Sequence, residues 1–231
     1  MTPRSACRSP RDSSRRHQTR DRLIESGLLV LGRRSADGSI IDELIQIAGV
    51  SRGTYYNYFR DNESLLQAVA EESSNALIRM VNAEVEALDD PAQRVACGVR
   101  QVLRIARAYP HFVRFVARVG PAALGSGSLA AQVVPRDLTL GVRTGRFKVT
   151  EPRLGFDLVT GPVLAAFNSL QLQPISDDYI DGLAAAVLRS LGVPAAEASR
   201  IARRPIAALT VPADSLIVRA EARAQRSPSG H

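Results

Sequence analysis

This chain of 231 residues contains only two cysteines and three histidines, and it contains no tryptophan. Cys7 and Cys97 support neither a disulfide framework nor a zinc site, which favours a reducing compartment. His17, His111 and His231 are scattered and belong to no His/carboxylate motif. The sequence therefore predicts no metal centre, no cofactor and no catalytic set, and we expect a protein that is not an enzyme.

Long hydrophobic runs and convincing strand patterns are missing as well. The chain has no stretch of about 18 apolar residues, although 45% of its residues are hydrophobic, and this combination is typical of a globular protein in water. The arginine-rich N-terminus lacks the apolar segment of a secretion signal. Apolar residues recur instead at helical spacing. We therefore expect an all-α protein of the cytoplasm.

Positive charge is concentrated in the first quarter of the chain. Of the net charge of +7, residues 1–60 contribute +5, with 11 arginines against 6 acidic residues. The rest of the chain contributes +2, with 19 basic against 17 acidic residues. One explanation is an ordinary solvated basic surface. The other is a module that meets a polyanion such as DNA, and only this one accounts for the clustering beside the motif at residues 39–59.

Residues 39–59 have the pattern of two short helices joined by a tight turn. The apolar stripe of the first helix consists of Ile41, Leu44, Ile45 and Ala48, at i, i+3, i+4 and i+7. Gly49 can end that helix at positive φ, and Ser51 can cap the next one. A helix-turn-helix of this size is a common device for placing a helix in the major groove of DNA.

The second of these helices presents a polar face. At about 100° per residue, Tyr55 and Phe59 point inward. The outward side carries Arg52, Gly53, Thr54, Tyr56 and Asn57. An arginine suits guanine and an asparagine suits adenine, while tyrosine hydroxyls suit phosphate oxygens. The alternative is a helix hairpin of an ordinary all-α protein, with this face simply solvated.

The rest of the chain predicts further helices, separated by Gly- and Pro-containing loops. Their predicted ranges are 14–31, 61–88, 91–108, 111–119, 129–142, 152–172, 176–191 and, more weakly, 213–226. The clearest internal loop is 120–128, and Gly161-Pro162 predicts a kink. The predicted organisation is a disordered basic arm (1–14), a helix-turn-helix domain (15–60), a larger helical domain (61–192) and a partly disordered extension (193–231).

The segment IIDELIQIAGVSRGTYYNYFRDNESLL, residues 40–66, resembles the TetR family of bacterial transcriptional repressors. Its core is Ala-Gly-Val-Ser-Arg-Gly-Thr followed by Tyr56 and Phe59. Looser agreement follows in YPHFVRF, TGRF, GPVLAAF and YIDGLAAAVLRSLG, so that the resemblance covers about residues 15–192. It implies an all-α, DNA-binding regulator of transcription that is associated with the nucleoid when bound to DNA.

The resemblance also implies roles for individual residues. Those that match base-facing positions are Arg52, Gly53, Thr54 and Asn57; those that match phosphate-contacting positions are Ser39, Ser51, Tyr56 and Tyr58. Three positions depart from the family pattern: Tyr55 replaces a leucine or isoleucine, Tyr58 a histidine, and Asn62 a lysine that commonly reaches the DNA backbone. Arg15, Arg16 and Arg20 are candidates to replace that lost phosphate contact.

A homodimer on a palindromic operator is a further implication of the family. In such a dimer the last two strong helices of each subunit form a four-helix bundle. The apolar positions that we assign to this interface are Val159, Val163, Ile180, Leu183, Val187 and Leu188. The alternative is that these stripes form the core of a single chain.

The family further implies that a small-molecule effector enters the larger domain and alters the separation of the two recognition helices. The candidate pocket residues are His111, Phe112, Phe115, Phe156, Phe167 and Asn168. Each of them is also explained as plain core or surface, and His111 as the first residue of a helix. The helix predicted at 61–88 begins beside the recognition helix, and we expect it to transmit the change.

The leading hypothesis is thus a dimeric repressor that a small molecule releases from its operator. A second hypothesis keeps the DNA binding but makes it insensitive to small molecules, or makes the regulator an activator. A third is an all-α enzyme in which the hairpin is incidental.

Overall fold

The structure, a computed structural model, describes residues 10–33, 40–125 and 127–226, with the side chains of 10–13 left aside. This part of the chain contains helices and no strand. Its α-helices are α1 (Pro10–Leu31), α2 (Ile40–Ala48), α3 (Arg52–Tyr56), α4 (Asn62–Glu86), α5 (Pro91–Ala108), α6 (Pro110–Val119), α7 (Ala130–Arg143), α8 (Pro152–Leu172), α9 (Asp177–Ser190), α10 (Ala195–Ala202) and α11 (Leu216–Arg226).

The predicted helix-turn-helix is present as α2 and α3. Gly49 ends α2 with φ at 63°, a value that favours glycine. The hydroxyl of Ser51 then caps α3, accepting a hydrogen bond from the Thr54 N–H at 3.1 Å. Tyr55 and Phe59 are buried, as the helical wheel predicts. The turn at Gly49 and the cap at Ser51 therefore set the orientation of α3 relative to α2.

Helix α4 carries the chain from this domain into the larger one. Asp61 caps it in a reciprocal arrangement with Ser64, whose N–H donates to the Asp61 carboxylate at 2.8 Å. These hydrogen bonds, that of the Ser64 backbone first, lower the pKa of Asp61. Because α4 packs against both α1 and α5, a single helix contacts both parts of the protein.

The larger domain is built around α5, which packs against α4, α7, α8 and α9. Asp90 and Pro91 start α5 as predicted, with the Asp90 carboxylate accepting from the Ala92 N–H at 3.0 Å. Pro162 lies inside α8, which continues through it as one helix. Within the described residues, no helix is long and apolar enough to cross a membrane.

Three features differ from the sequence predictions. Helix α1 begins at Pro10, about four residues before its predicted start and inside the predicted basic arm. The predicted loop at 120–128 contains a 3₁₀ turn, Gly120–Leu124. Helix α10 was not predicted: its buried side chains, Ala198, Ile201 and Ala202, include only one large apolar residue, which leaves a weak helical signal.

Helix α11 returns to the N-terminal domain and contacts α1, α4 and α6. Its side chains Ile217 and Ala220 are buried. Arg219 and Arg223 donate to the Glu25 carboxylate of α1, at 3.0 and 3.3 Å. Helix α11 thus lies within the range predicted for a last helix, 213–226, and packs on the body, whereas residues 227–231 lie outside the described residues.

Candidate DNA-reading face and ligand cavity

The outward side of α3, which we call the reading face, carries Arg52, Gly53, Thr54 and Asn57. Arg52, Gly53 and Asn57 are exposed, and Thr54 is half-buried with its hydroxyl 2.9 Å from that of Ser51. The Arg52 guanidinium donates to the Asp42 carboxylate of α2 at 3.0 Å. A Cβ at Gly53 would meet no atom closer than the Ser51 hydroxyl at 3.9 Å. The sequence motif is therefore displayed on the surface as one polar patch.

The residues assigned to phosphate contacts differ in their exposure to solvent. Ser51, Tyr56, Arg15 and Arg16 are exposed, and Tyr58 is half-buried. Ser39 lies outside the described residues. Arg20 is engaged elsewhere, because its guanidinium donates to Glu72 of α4 at 3.1 Å. Half-buried and paired with Glu72, Arg20 is less available for a phosphate contact than the exposed Arg15 and Arg16.

Two of the departures from the family pattern, Tyr55 and Asn62, contact each other. The buried Tyr55 hydroxyl lies 3.3 Å from both the Asn62 side-chain oxygen and the Asp61 carbonyl oxygen. Burial raises the pKa of Tyr55, and the nearby Tyr56 and Asp61 raise it further. The phenol therefore stays a neutral donor. A polar atom placed in this core needs an acceptor, and Asn62 supplies one. The side-chain oxygen of the exposed Asn62 is thereby used within the protein.

The larger domain contains a partly open apolar cavity of about 130 Å³ between α4, α5, α6, α7 and α8. Its walls include Leu77, Val81, Val99, Phe112, Val159 and Phe167. The rings of Phe112 and Phe167 meet edge to face, with centroids 5.7 Å apart. A concave apolar space with few polar groups is the usual form of a small-molecule site.

One end of this cavity is charged. Asp137 of α7 and Arg94 of α5 both line it, and the Arg94 guanidinium donates to Asp137 Oδ1 at 3.1 Å. Arg136 donates to the same oxygen at 3.2 Å and to Glu86 at 2.8 Å. The hydrogen bond from Arg136 lowers the pKa of Glu86, and a weaker effect of Asn82 acts in the same direction. Sequence reasoning missed Asp137; a single acidic residue among the apolar residues of α7 was the available signal.

The predicted pocket residues divide into two groups. Phe112 and Phe167 line the cavity. Phe115 is buried in the core and Phe156 is half-buried, and neither lines it. The exposed Asn168 donates to the Leu164 carbonyl of its own helix at 3.4 Å. The pocket assignment of these last three therefore needs correction: their side chains point to other faces of their helices.

His111 also stands away from the cavity, and its contacts give it another role. Its ring Nδ1 lies 3.0 Å from Glu221 of α11, and its backbone N–H donates to the same carboxylate at 3.1 Å. Glu221 is thus an acceptor for the first turn of α6, whose backbone N–H groups have no partner within the helix. This contact joins residues 110 positions apart, which no local pattern predicts.

The predicted dimer residues also need correction. Ile180, Val187 and Leu188 are almost fully buried within the protomer, Val159 and Val163 line its cavity, and Leu183 is half-buried. Helix α5 packs on α9 and covers these side chains, and α10 packs on α9 as well. Helical spacing identifies an apolar stripe but does not distinguish one that packs within the chain from one that meets a second copy. All but Leu183 belong to the protomer's own core and cavity.

Several contacts connect the cavity domain to the reading domain. Arg114 of α6 donates to the Gly32 carbonyl at the end of α1, at 2.9 Å. Arg223 of α11 donates to the Ile47 carbonyl in α2 as well as to Glu25. Helices α4, α6 and α11 therefore hold the helix-turn-helix against the domain that contains the cavity.

A helix-turn-helix joined to a larger all-α domain is the architecture of a transcriptional regulator that binds DNA. Residues 90–204 match the family model described as the tetracyclin repressor-like C-terminal domain. The crystal structure of RolR in complex with resorcinol is 36% identical, covers 86% of this chain and all of that chain, and has a TM-score of 0.70. The structure of RolR without ligand is 33% identical, covers 83% of this chain and all of that chain, and has a TM-score of 0.71.

Two further relatives are more distant. An uncharacterised HTH-type transcriptional regulator of Mycobacterium tuberculosis is 24% identical over 114 residues, which are 49% of this chain and 56% of that protein. The chain thus spans only about half the length of the curated relatives it matches. A TetR family transcription regulator from Marinobacter aquaeolei, 16% identical with a TM-score of 0.63, covers 78% of this chain and 98% of its own, and shows the fold alone. The chain belongs to the TetR family of transcriptional regulators.

Proposed function

We propose that the protein is a homodimeric repressor that binds a palindromic operator and leaves it when a small molecule fills the cavity. One observation carries this proposal: an exposed reading face and an apolar cavity occur in one chain, bridged by α4, α6 and α11. A reading face without such a cavity would support DNA binding alone. The cavity gives an effector a place to act, and the bridging helices give it a route.

Sequence-specific binding is assigned to the reading face. Arg52 suits the paired acceptors of a guanine and Asn57 those of an adenine, while the missing side chain at Gly53 lets a base edge come close. Tyr56, Ser51, Arg15 and Arg16 are assigned to phosphates, which fix the register. Tyr58, being half-buried, and Ser39 are retained in this set on the family pattern.

Replacing Arg52 with alanine tests the assignment. We expect operator affinity to fall by about 1–3 kcal/mol, and the preference at one base position of each half-site to relax. Selection from a randomised operator library reports the base preference, and fluorescence anisotropy reports the affinity. Arg60→Ala is the matched control, because Arg60 is exposed but lies outside the reading face. An Arg52→Ala protein with unchanged selectivity would refute the assignment.

Dimerisation is assigned to a stripe on α8 and α9 whose residues are exposed, apart from the half-buried Leu158, Leu183 and Ala186. The apolar and small residues of this stripe are Leu154, Leu158, Gly161, Ala165 and Leu172 on α8, and Tyr179, Gly182, Leu183 and Ala186 on α9. They recur at helical spacing, and the small ones let a second pair of helices approach closely. Leu172 is 86% exposed in the protomer, which favours burial against a partner.

Gly182→Arg is expected to leave the protomer folded and to prevent its dimerisation. A Cβ at Gly182 meets no atom within 4 Å, so the new side chain fits the free protomer, whereas a packed partner helix would collide with it. Sedimentation should show a monomer. Operator affinity should drop by about a hundredfold or more, because one body no longer binds both half-sites. Ala196→Arg, at an exposed position of α10, is the control and should remain dimeric.

The effector is assigned to the apolar cavity. Its volume of about 130 Å³ is close to the roughly 150 Å³ of an engineered apolar cavity that binds benzene. That RolR was crystallised with resorcinol, also a single aromatic ring, agrees with this size. An occupant would press on α4 and α6, the helices that contact the reading domain. A coupling of about 1–3 kcal/mol between ligand and operator is then sufficient for release.

A further inference from the structure

Helix α2 is held by α11 as well as by its own neighbours, α1 and α3. Among the described residues that follow α3, Arg223 of α11 is the one whose side chain hydrogen-bonds to α2, and its acceptor is the Ile47 carbonyl. Ile47 lies in the last turn of α2, where carbonyl groups have no partner within the helix. A guanidinium placed there satisfies one of these carbonyls and suits the negative end of the helix.

The same guanidinium also contacts α1. Arg223 donates to the Glu25 carboxylate at 3.3 Å, so one side chain joins the first two helices of the chain to α11. Gly49 and the cap at Ser51 lead from the held end of α2 directly into α3. The position of α2 therefore determines the position of the reading face, and Arg223 acts on it at the end nearest to that face.

Helix α11 is itself fixed to the larger domain at two places. Arg100 and Gln101 of α5, both buried, donate at 2.6 and 2.8 Å to carbonyl groups of the segment that connects α10 to α11. Glu221, which is also buried, accepts from the His111 N–H in the first turn of α6 at 3.1 Å. Because α11 is anchored in this way, its arginine can hold α2 in one position relative to the larger domain.

A dimer that binds a palindrome requires its two reading faces at one separation and one angle. Each base pair inserted between two half-sites moves them apart by about 3.4 Å and turns them by about 34°. A rigid pair of reading faces can then no longer bind both half-sites, whereas a pair that pivots can follow the DNA. The contacts that fix each reading face on its larger domain therefore decide which spacing the dimer accepts.

We propose that Arg223 is a positioning residue that sets the half-site spacing of the operator by holding α2 on α11. This inference rests on the proposed function in so far as it requires a dimer on a palindrome. It adds a determinant of specificity that acts through α2 and not through a contact with a base. The family model matches residues 90–204, so the match assigns α11 no role.

A series of operators with extra base pairs between the half-sites tests this role on the full-length chain. The starting palindrome is selected from a randomised library, and fluorescence anisotropy gives the affinity for each spacing. For the unmodified chain, one inserted base pair should weaken binding by about a hundredfold, because only one half-site remains bound. For Arg223→Met the same insertion should cost about tenfold or less, because α2 and α3 can follow the displaced half-site.

A matched variant separates positioning from stability. Arg219 also donates to Glu25, but its other acceptor is the Asp214 carbonyl and not a group of α2, so Arg219→Met should keep the full penalty. Glu25 retains one arginine in either variant, which avoids an unpaired buried carboxylate. The affinity for an isolated half-site should be the same for all three chains, because no contact with a base is removed.

The possible results distinguish this inference from the proposed function. An Arg223→Met chain that folds and keeps the full penalty overturns the inference, as does an Arg219→Met chain that loses the penalty to the same extent. An unmodified chain that binds the palindrome and tolerates the insertion also overturns it, and leaves the repressor intact. A chain that binds no palindrome overturns the proposed function together with the inference.

Arg223→Lys decides the question if Arg223→Met does not fold. Lysine keeps the positive charge beside Glu25 but lacks the planar fork with which arginine spans both acceptors. The penalty for one inserted base pair should then lie between those of the unmodified chain and of a freely pivoting reading face. A penalty equal to that of the unmodified chain overturns the inference.

Discussion

Operator affinity is expected to fall about a thousandfold when the salt concentration rises from about 50 to about 200 mM, because binding releases the counterions of the phosphates that the protein neutralises. The first 16 residues hold five arginines, Arg4, Arg8, Arg11, Arg15 and Arg16, and a dimer would bring ten of them to the DNA. About six phosphate contacts, fewer than these ten arginines could make, already produce a loss of this size. The slope of log Kd against log salt concentration measures it.

Two matched variants locate the source of that slope. Replacing the exposed Arg15 and Arg16 with glutamine removes four charges from a dimer and should lower the slope by about three to four. Arg20→Gln should change it little, because Arg20 pairs with Glu72. A flat salt dependence of the unmodified chain, or an Arg20 effect as large as that of the pair, contradicts this account.

Removing α11 is expected to cost roughly 3–5 kcal/mol of unfolding free energy. A chain that ends at Ala213 loses the burial of Ile217 and leaves Glu25, whose side chain is only 13% exposed, without either arginine. An uncompensated buried charge is a large penalty in a folded protein. For a chain of this length the loss corresponds to a fall in Tm of about 10 °C or more, which calorimetry detects.

The matched control for this deletion ends at Arg226 and keeps the whole of α11. Its Tm should equal that of the full chain. The double substitution Arg219→Met with Arg223→Met keeps the helix and isolates the loss of the ion pairs, so its Tm should fall between the two. A chain ending at Ala213 that melts within about 2 °C of the full chain would show that α11 is not a structural tie.

Much of the fold was predictable because its helix ends are set by neighbouring residues. Ser51, Asp61 and Asp90 act on backbone groups within three positions, so sequence places these caps correctly. Gly49 belongs to the same class, since its requirement is its own φ. The inward side of α3 followed from helical spacing alone. Local rules thus account for the helix-turn-helix and for the order of most helices.

The parts that were not predictable depend on contacts between distant segments. The buried stripe of α9 was recognised, but only packing against α5 shows that Val187 and Leu188 belong to the protomer. Glu221 and His111 are 110 positions apart. The cavity lies between five helices, so Phe112 and Phe115, three positions apart on one short helix, have different roles: one lines the cavity and the other is core.

The pair formed by Arg52 and Asp42 has a consequence for how tightly the protein binds its operator. In the free protein, Asp42 already occupies the guanidinium that we assign to a base. In the proposed complex a base edge must displace this resident carboxylate, or share the guanidinium with it, to bind Arg52. Guanine offers two acceptors side by side and competes well, whereas other bases compete less well. A guanine that displaces Asp42 loses the whole free energy of the Arg52–Asp42 pair, whereas a base that leaves the pair intact loses none of it, so Asp42 moderates the affinity for the correct operator.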